Sequence, residues 1–137
     1  MISVDDIDYR ILQILKGDAR TPFVTIAKRL GTSEGTIRIR VKRMADEGVI
    51  SRFTIDTSGE GLKALIDVRL QTNFDTSEVA KKIVRLDGVM VVYEVTGEDD
   101  IVVIGDVKNT DELNDLVESI RRMGVISTKT RLIMKEH

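Results

Sequence analysis

The 137-residue chain contains no cysteine, no tryptophan, one proline and one histidine, His137 at its last position. Without cysteine there is no disulfide framework, thiolate zinc site or iron–sulfur cluster, and a single histidine leaves histidine-based metal sites and catalytic triads without parts. No metal and no cofactor is therefore expected. Long apolar runs are missing too: the longest, Val89 to Tyr93 and Ile101 to Ile104, fall far short of the ~20 residues that cross a bilayer. The first twenty residues include Asp5, Asp6, Asp8 and Asp18 and no continuous apolar core, so they do not read as a signal peptide, and the expected location is cytoplasmic. What remains is a chain 42% hydrophobic and 32% charged, the composition of a globular protein with room for one average domain or two small ones.

The net charge of −2 conceals a partition. Residues 1–55 hold ten Lys/Arg against seven Asp/Glu, a balance of +3, whereas residues 56–137 hold eleven against sixteen, a balance of −5. A basic N-terminal part is a pointer to a polyanion partner.

The first half reads as three helices. Ser3 and Asp6 have capping-box spacing ahead of the stripe Ile7, Ile11, Ile14 and Leu15, which Gly17 ends. Thr21 is expected as an N-cap with Pro22 in the first helical position, before Phe23, Ile26, Ala27 and Leu30 and a stop at Gly31. Ser33 caps a third helix with Ile37, Val41 and Met44 inward, closed by Gly48. The alternation from Val49 to Ile55 predicts a strand. Two helices joined by a short turn, preceded by a helix and followed by a strand, form the winged helix-turn-helix pattern.

With 100° between residues, the third helix turns Gly35, Arg38, Ile39 and Lys42 away from the core and puts Thr36, Arg40 and Arg43 on one flank. Arginine donates two hydrogen bonds to guanine or to a phosphate, so Arg38 is the candidate base reader while Arg40, Lys42 and Arg43 hold the backbone. Ile39 suits a thymine methyl, and Gly35 lets the helix approach the duplex. With Ser33 and Thr36 at the helix start, these eight residues are the candidate DNA-binding set; the alternative is a solvated basic face.

Residues 56–61 are polar and glycine-containing and read as a linker between a 1–55 DNA-binding domain and a 62–137 domain. The latter alternates strand, helix, strand, strand, helix, strand: Ile66 to Leu70, a helix capped by Asp75 or Thr76, Val89 to Val95, Ile101 to Gly105, a helix capped by Asn109, and Val125 to Met134. Two such units give an α+β fold, a ferredoxin-like βαββαβ sandwich. Both phases of Ile101 to Ile104 are apolar although helices cover one sheet face only, so the other face is expected to pack against another subunit.

Asp5-Asp6-Ile7-Asp8-Tyr9-Arg10-Ile11-Leu12, Ile26-Ala27-Lys28-Arg29-Leu30-Gly31, Thr36 to Met44 and Glu47-Gly48-Val49-Ile50 together resemble the Lrp/AsnC "feast/famine" transcriptional regulators. The likeness continues through Gly61-Leu62 and Val91 to Asp100, covering nearly the whole chain. It implies a winged helix-turn-helix joined to a RAM-type α/β module that dimerises through its sheets. It also implies that dimers assemble further, often to octamers, and that small effectors, usually amino acids, bind near Thr96 to Asp100. Asp99 stands where the family often has tyrosine, which bears on effector identity, and Gly35 where it often has serine, which bears on operator preference.

Taken alone, Gly97-Glu98-Asp99-Asp100 is a hairpin turn. Three adjacent carboxylates are also a thinkable hard-cation site, but the wider oxygen-ligand pattern of a calcium loop is absent. As an effector site, Thr96, Gly97, Glu98, Asp99 and Asp100 would supply an acceptor for an ammonium and backbone donors for a carboxylate, with Thr128 and Thr130 as further partners or plain strand residues. The expected protein is no enzyme, since no nucleophile or tuned general acid accompanies these acids. It is expected to bind double-stranded DNA, sense an amino acid or related metabolite, and form homodimers that associate further; the alternative is a DNA-binding protein whose C-terminal domain only oligomerises.

Overall fold

The computed structural model describes residues 3–58 and 60–137, and the chain divides into compact units at residues 1–56 and 57–137. Gly59 of the expected linker lies outside the described residues.

The first unit comprises α1 (Asp6–Gly17), α2 (Phe23–Leu30) and α3 (Glu34–Asp46). The α1 cap lies two residues beyond the expected Ser3: Asp5 accepts the Asp8 N–H at 2.8 Å and Asp8 accepts the Asp5 N–H at 3.3 Å. An aspartate pair three apart satisfies both orphan donors, as a Ser/Glu box would. Thr21 does not cap α2 either. Pro22 holds the N-cap position in extended conformation, while the Thr21 hydroxyl donates to the Asp18 carbonyl at 2.7 Å. Between α2 and α3 the chain reverses at Gly31, whose φ of 68° a side chain would disfavour, and Ser33 caps α3 by accepting the Thr36 N–H at 3.2 Å. Ile11, Ile26, Ala27, Ile37, Val41 and Met44 form the buried core, with Val49 and Ile50 packed against it.

Residues 51–58 form no strand. The alternation is real, but a strand also needs a ladder partner, and none of the pairings among the described residues includes this segment. Phe53 and Ile55 are accordingly 62% and 79% exposed.

The second unit runs β1 (Leu62–Leu70), α4 (Thr76–Ile83), β2 (Val89–Glu94), β3 (Ile101–Val107), α5 (Thr110–Arg121), β4 (Val125–Leu132). Asp75 and Asn109 cap the two helices. The four strands pair antiparallel in the order β2-β3-β1-β4, the arrangement of a ferredoxin-like sandwich. Ala64, Ile66, Val68, Ile101 and Val103 are buried in one core with Val79, Ile83, Leu116 and Ile120 of the helices, each large side chain there contributing roughly 1.5–3 kcal/mol by burial. Gly61, at φ 76°, brings the start of β1 so close to the end of β3 that a Cβ would lie 2.4 Å from the Val107 carbonyl oxygen. The opposite sheet face follows from the pairing register: Leu65 lies beside Ile104, Asp67 beside Val102, and Tyr93 beside Val102. Its aliphatic members stay only half-buried.

Candidate functional site

On α3 the residues that the helical period turns outward, Gly35, Arg38, Ile39 and Lys42, are exposed, as are Glu34 and Asp46 at the two helix ends. Ile39 is 70% exposed. A Cβ placed on Gly35 meets nothing within 4 Å, so no contact within the described residues requires glycine there. Arg38 is positioned twice: its Nη2 donates to Glu34 one turn earlier at 2.5 Å, and its guanidinium lies 5.5 Å from the centroid of Phe23 on α2, an attractive cation–π arrangement. Lys42 pairs with Asp46 at 2.6 Å. Ser33 and Thr36 share a 2.8 Å hydroxyl hydrogen bond at the α3 start, fixing the helix end that leads toward Arg38.

Arg40 and Arg43 depart from the expected flank role. Both turn toward α1: Arg40 Nη1 reaches Asp5 at 2.6 Å and Asp8 at 2.9 Å, and Arg43 Nη2 donates to the other Asp8 oxygen. Asp8 is fully buried, and a buried carboxylate requires counter-charge, so these arginines face the acids rather than the surface that presents Arg38 and Lys42. The Asp5 carboxyl is held below its ordinary value of 3.8, first by the Asp8 N–H and then by Arg40. The same contacts, Asp5 first and then Asp8, raise the Arg40 guanidinium above its ordinary value. A signal for Asp8 existed in the sequence. It lies three and seven residues before Ile11 and Leu15, an acid inside an apolar stripe.

In the second unit, Thr96 to Asp100 link β2 to β3 as an acidic loop with Gly97 at φ 117°. Asp100 closes it. Its N–H donates to the Val68 carbonyl at 2.9 Å and its Oδ2 accepts the Leu70 N–H at 2.7 Å, where the β1–β4 register slips. Part of its acceptor capacity thus serves the fold. Thr96, Gly97 and Glu98 are exposed, Asp99 half-buried.

Thr128 and Thr130 are not gathered at this loop. They pair with Val68 and Ile66, so β1 stands between them and β3, and Thr128 accepts a hydrogen bond from Arg121 of α5 at 3.2 Å. A cleft of about 800 Å³ opens at the other end of the sheet, between Gly61, Asp87, Asp106 and Glu112, and contains none of the expected site residues. Among the described residues, no group of three or more potential ligands is placed to hold a metal, and no helix is long and apolar enough to cross a membrane.

Comparison with known proteins places both units. Residues 4–45 match the AsnC-type helix-turn-helix domain and residues 63–137 the Lrp/AsnC ligand binding domain. The chain is 40% identical to the HTH-type transcriptional regulator LysM of Saccharolobus solfataricus, across 97% of its own length and 95% of that protein's. Among solved structures, E. coli AsnC is 30% identical with a TM-score of 0.72, covering 98% of this chain and 95% of that one. The feast or famine regulatory protein from M. tuberculosis, complexed with L-methionine, has the same fold: TM-score 0.80, 24% identity, 98% and 94% coverage. With a helix-turn-helix whose second helix presents an open basic stripe and a four-stranded sandwich matched to a ligand-binding domain, the chain belongs to the Lrp/AsnC family of transcriptional regulators and is not an enzyme.

Proposed function

We propose that this protein is a homo-oligomeric, sequence-specific DNA-binding regulator that responds to an amino acid or a related small metabolite. The observation that carries the DNA half is the stripe Gly35, Arg38, Ile39 and Lys42: two exposed cations, an exposed isoleucine and a glycine with open space above it. Arg38 reads a guanine edge, Ile39 meets a thymine methyl, and Lys42 neutralises phosphate, with Ser33 and Thr36 at the helix start beside the backbone. Residues 56–61 connect this domain to the assembly domain, where a second copy covers the half-buried sheet face of Leu65, Val91, Val102 and Ile104. Two recognition helices in a two-fold dimer call for pseudo-palindromic sites with half-sites about one helical turn, roughly 10 base pairs, apart.

The test is selection of bound duplexes from a random pool with and without an amino-acid mixture. Arg38→Ala is expected to cost roughly 1–3 kcal/mol on the selected site and relax one position per half-site. Equal losses on selected and random DNA would remove the base-reading role. For the effector, the M. tuberculosis relative complexed with L-methionine supports the amino-acid class. The effector surface centres on Thr96, Gly97, Glu98 and Asp99, with Asp100 shaping it.

A second reading, in which the C-terminal domain only assembles the protein, draws on the Asp100 oxygen already engaged by Leu70 and on the separation of Thr128 and Thr130 from the loop. Calorimetric titration with an amino-acid panel separates the two. Heat that Asp99→Ala abolishes supports sensing; no heat with any member leaves assembly alone.

A further inference from the structure

All four cations of α3 are paired, but not equally. Arg38 and Lys42 hold exposed acids one turn away on the same helix, pairs worth roughly 0–1 kcal/mol that exchange readily for a phosphate. Arg40 is different: its side chain is only 22% exposed and grips two carboxylates of another helix. Asp8, fully buried, needs one counter-charge and has two arginines. That leaves one positive charge over, and Asp5 neutralises it.

Nothing in the cap requires this charge. Asp5 caps α1 with Oδ1, which accepts the Asp8 N–H, and asparagine or serine caps about as well. It is Oδ2 that accepts from Arg40. Asp5 is itself half exposed at 51%, so its charge is not a by-product of burial.

Resting on the reading that α3 faces DNA, we propose that Asp5 is a charge brake: by holding Arg40 against α1 it withholds one cation per recognition helix from the phosphates and lowers affinity for DNA of any sequence. Each phosphate contact adds about −0.9 to the salt slope, which at 0.1 M salt corresponds to about a fivefold to tenfold gain in affinity. A regulator searching a genome competes against its own sequence-independent binding, so a cation kept off the backbone shortens residence on wrong DNA.

The test is a double-mutant cycle in the full-length protein, read as anisotropy of a labelled random-sequence duplex across a salt series. Asp5→Asn keeps the Oδ1 cap and turns an amide NH2 toward Arg40. It is expected to tighten binding about fivefold to tenfold at 0.1 M salt and to steepen the slope by about one unit, each per recognition helix engaged. Asp5→Ser, with a hydroxyl cap, serves if the asparagine variant folds poorly. Arg40→Gln is expected to change wild-type binding less than about twofold and to erase the gain in the Asp5→Asn background. Loss with Arg40→Gln as large as with Lys42→Ala would place Arg40 on the DNA already and overturn the brake. So would an Asp5→Asn protein that binds like wild type while Lys42→Ala weakens binding. If Lys42→Ala also has no effect, the DNA-facing reading of α3 falls and the brake with it.

Discussion

Asp8 in the helical unit and Asp67 in the sheet unit are the buried acids among the described residues, and each is neutralised by arginine. Asp8 lies inside a three-helix core and takes two arginines of α3, one on each oxygen. Asp67 lies on the uncovered sheet face and takes a single arginine, Arg131, through both oxygens at 2.9 and 3.2 Å. That arginine remains 55% exposed. The helical unit has more cation than its buried acid needs and hands the surplus to a surface aspartate. The sheet unit leaves its pair half-solvated among aliphatic residues, so the environment of that pair changes most if a second copy covers the face. A buried charge in the first unit fixes internal geometry; in the second it bears on how the outside is met.

The contrast breaks most sharply at Asp8. Asp8→Ala leaves Arg40 and Arg43 facing one another without their shared counter-charge and removes half the capping box. A loss of roughly 3–5 kcal/mol is expected, the usual cost of removing one partner of a buried pair. Urea unfolding followed by circular dichroism is the measurement. Loss of part of the helical signal, with that of α4 and α5 and the strand signal retained, matches a clasp confined to residues 1–56, whereas a stability change under 1 kcal/mol would show that Asp8 is not what ties α1 to α3.

A smaller effect is expected at Arg131. Arg131→Ala strands Asp67 on the face proposed to pair with a second copy, weakening dimerisation by roughly 2 kcal/mol without unfolding the sheet. Sedimentation equilibrium reads it directly. An unchanged dimer constant, with the monomer still folded, would place the subunit contact elsewhere.

The two units were also unequally legible in the sequence. Helical stripes mark all five helices because their buried residues recur at 3.6 spacing, the expected caps hold for α3, α4 and α5, and the β-strand order follows from two alternating units. What escaped depended on partners distant in sequence. The α1 cap is the exception, since its partner is local: Asp5 and Asp8 close the box three residues apart, two residues beyond the expected Ser3. Arg40 and Arg43 have the helical phase of a flank, and the acids that claim them are more than thirty residues away. Residues 49–55 alternate like a strand, but pairing is not encoded locally. The exposed stripe Gly35, Arg38, Ile39 and Lys42 was legible because exposure follows helical phase, while the Thr128 and Thr130 placement was not, because the edge position of β4 is a property of the whole sheet.

The finest test of the clasp is its pH dependence. Asp5 titrates below its ordinary 3.8 in the folded protein, first because it accepts the Asp8 N–H and second because it faces Arg40. A carboxyl depressed on folding contributes stability that is fully present above the unfolded value and is lost as pH falls through the folded one. Between pH 5 and 8 this contribution is therefore flat, and it disappears below pH 3.8. Arg40, raised above its ordinary value by Asp5 and then Asp8, adds the mirror effect, present below its unfolded value, and stays constant throughout any practical range. Because carboxyls elsewhere in the chain add their own acid dependence, the quantity to follow is the difference in melting temperature between wild type and Asp5→Asn, which keeps the cap and removes the charge. That difference is expected to be constant from pH 8 to 5 and to shrink as pH falls below 3.8, the two proteins converging when Asp5 is protonated. A difference that stays constant down to pH 3 would mean that the Asp5 charge does not stabilise the fold, and that its pairing with Arg40 adds nothing beyond the cap.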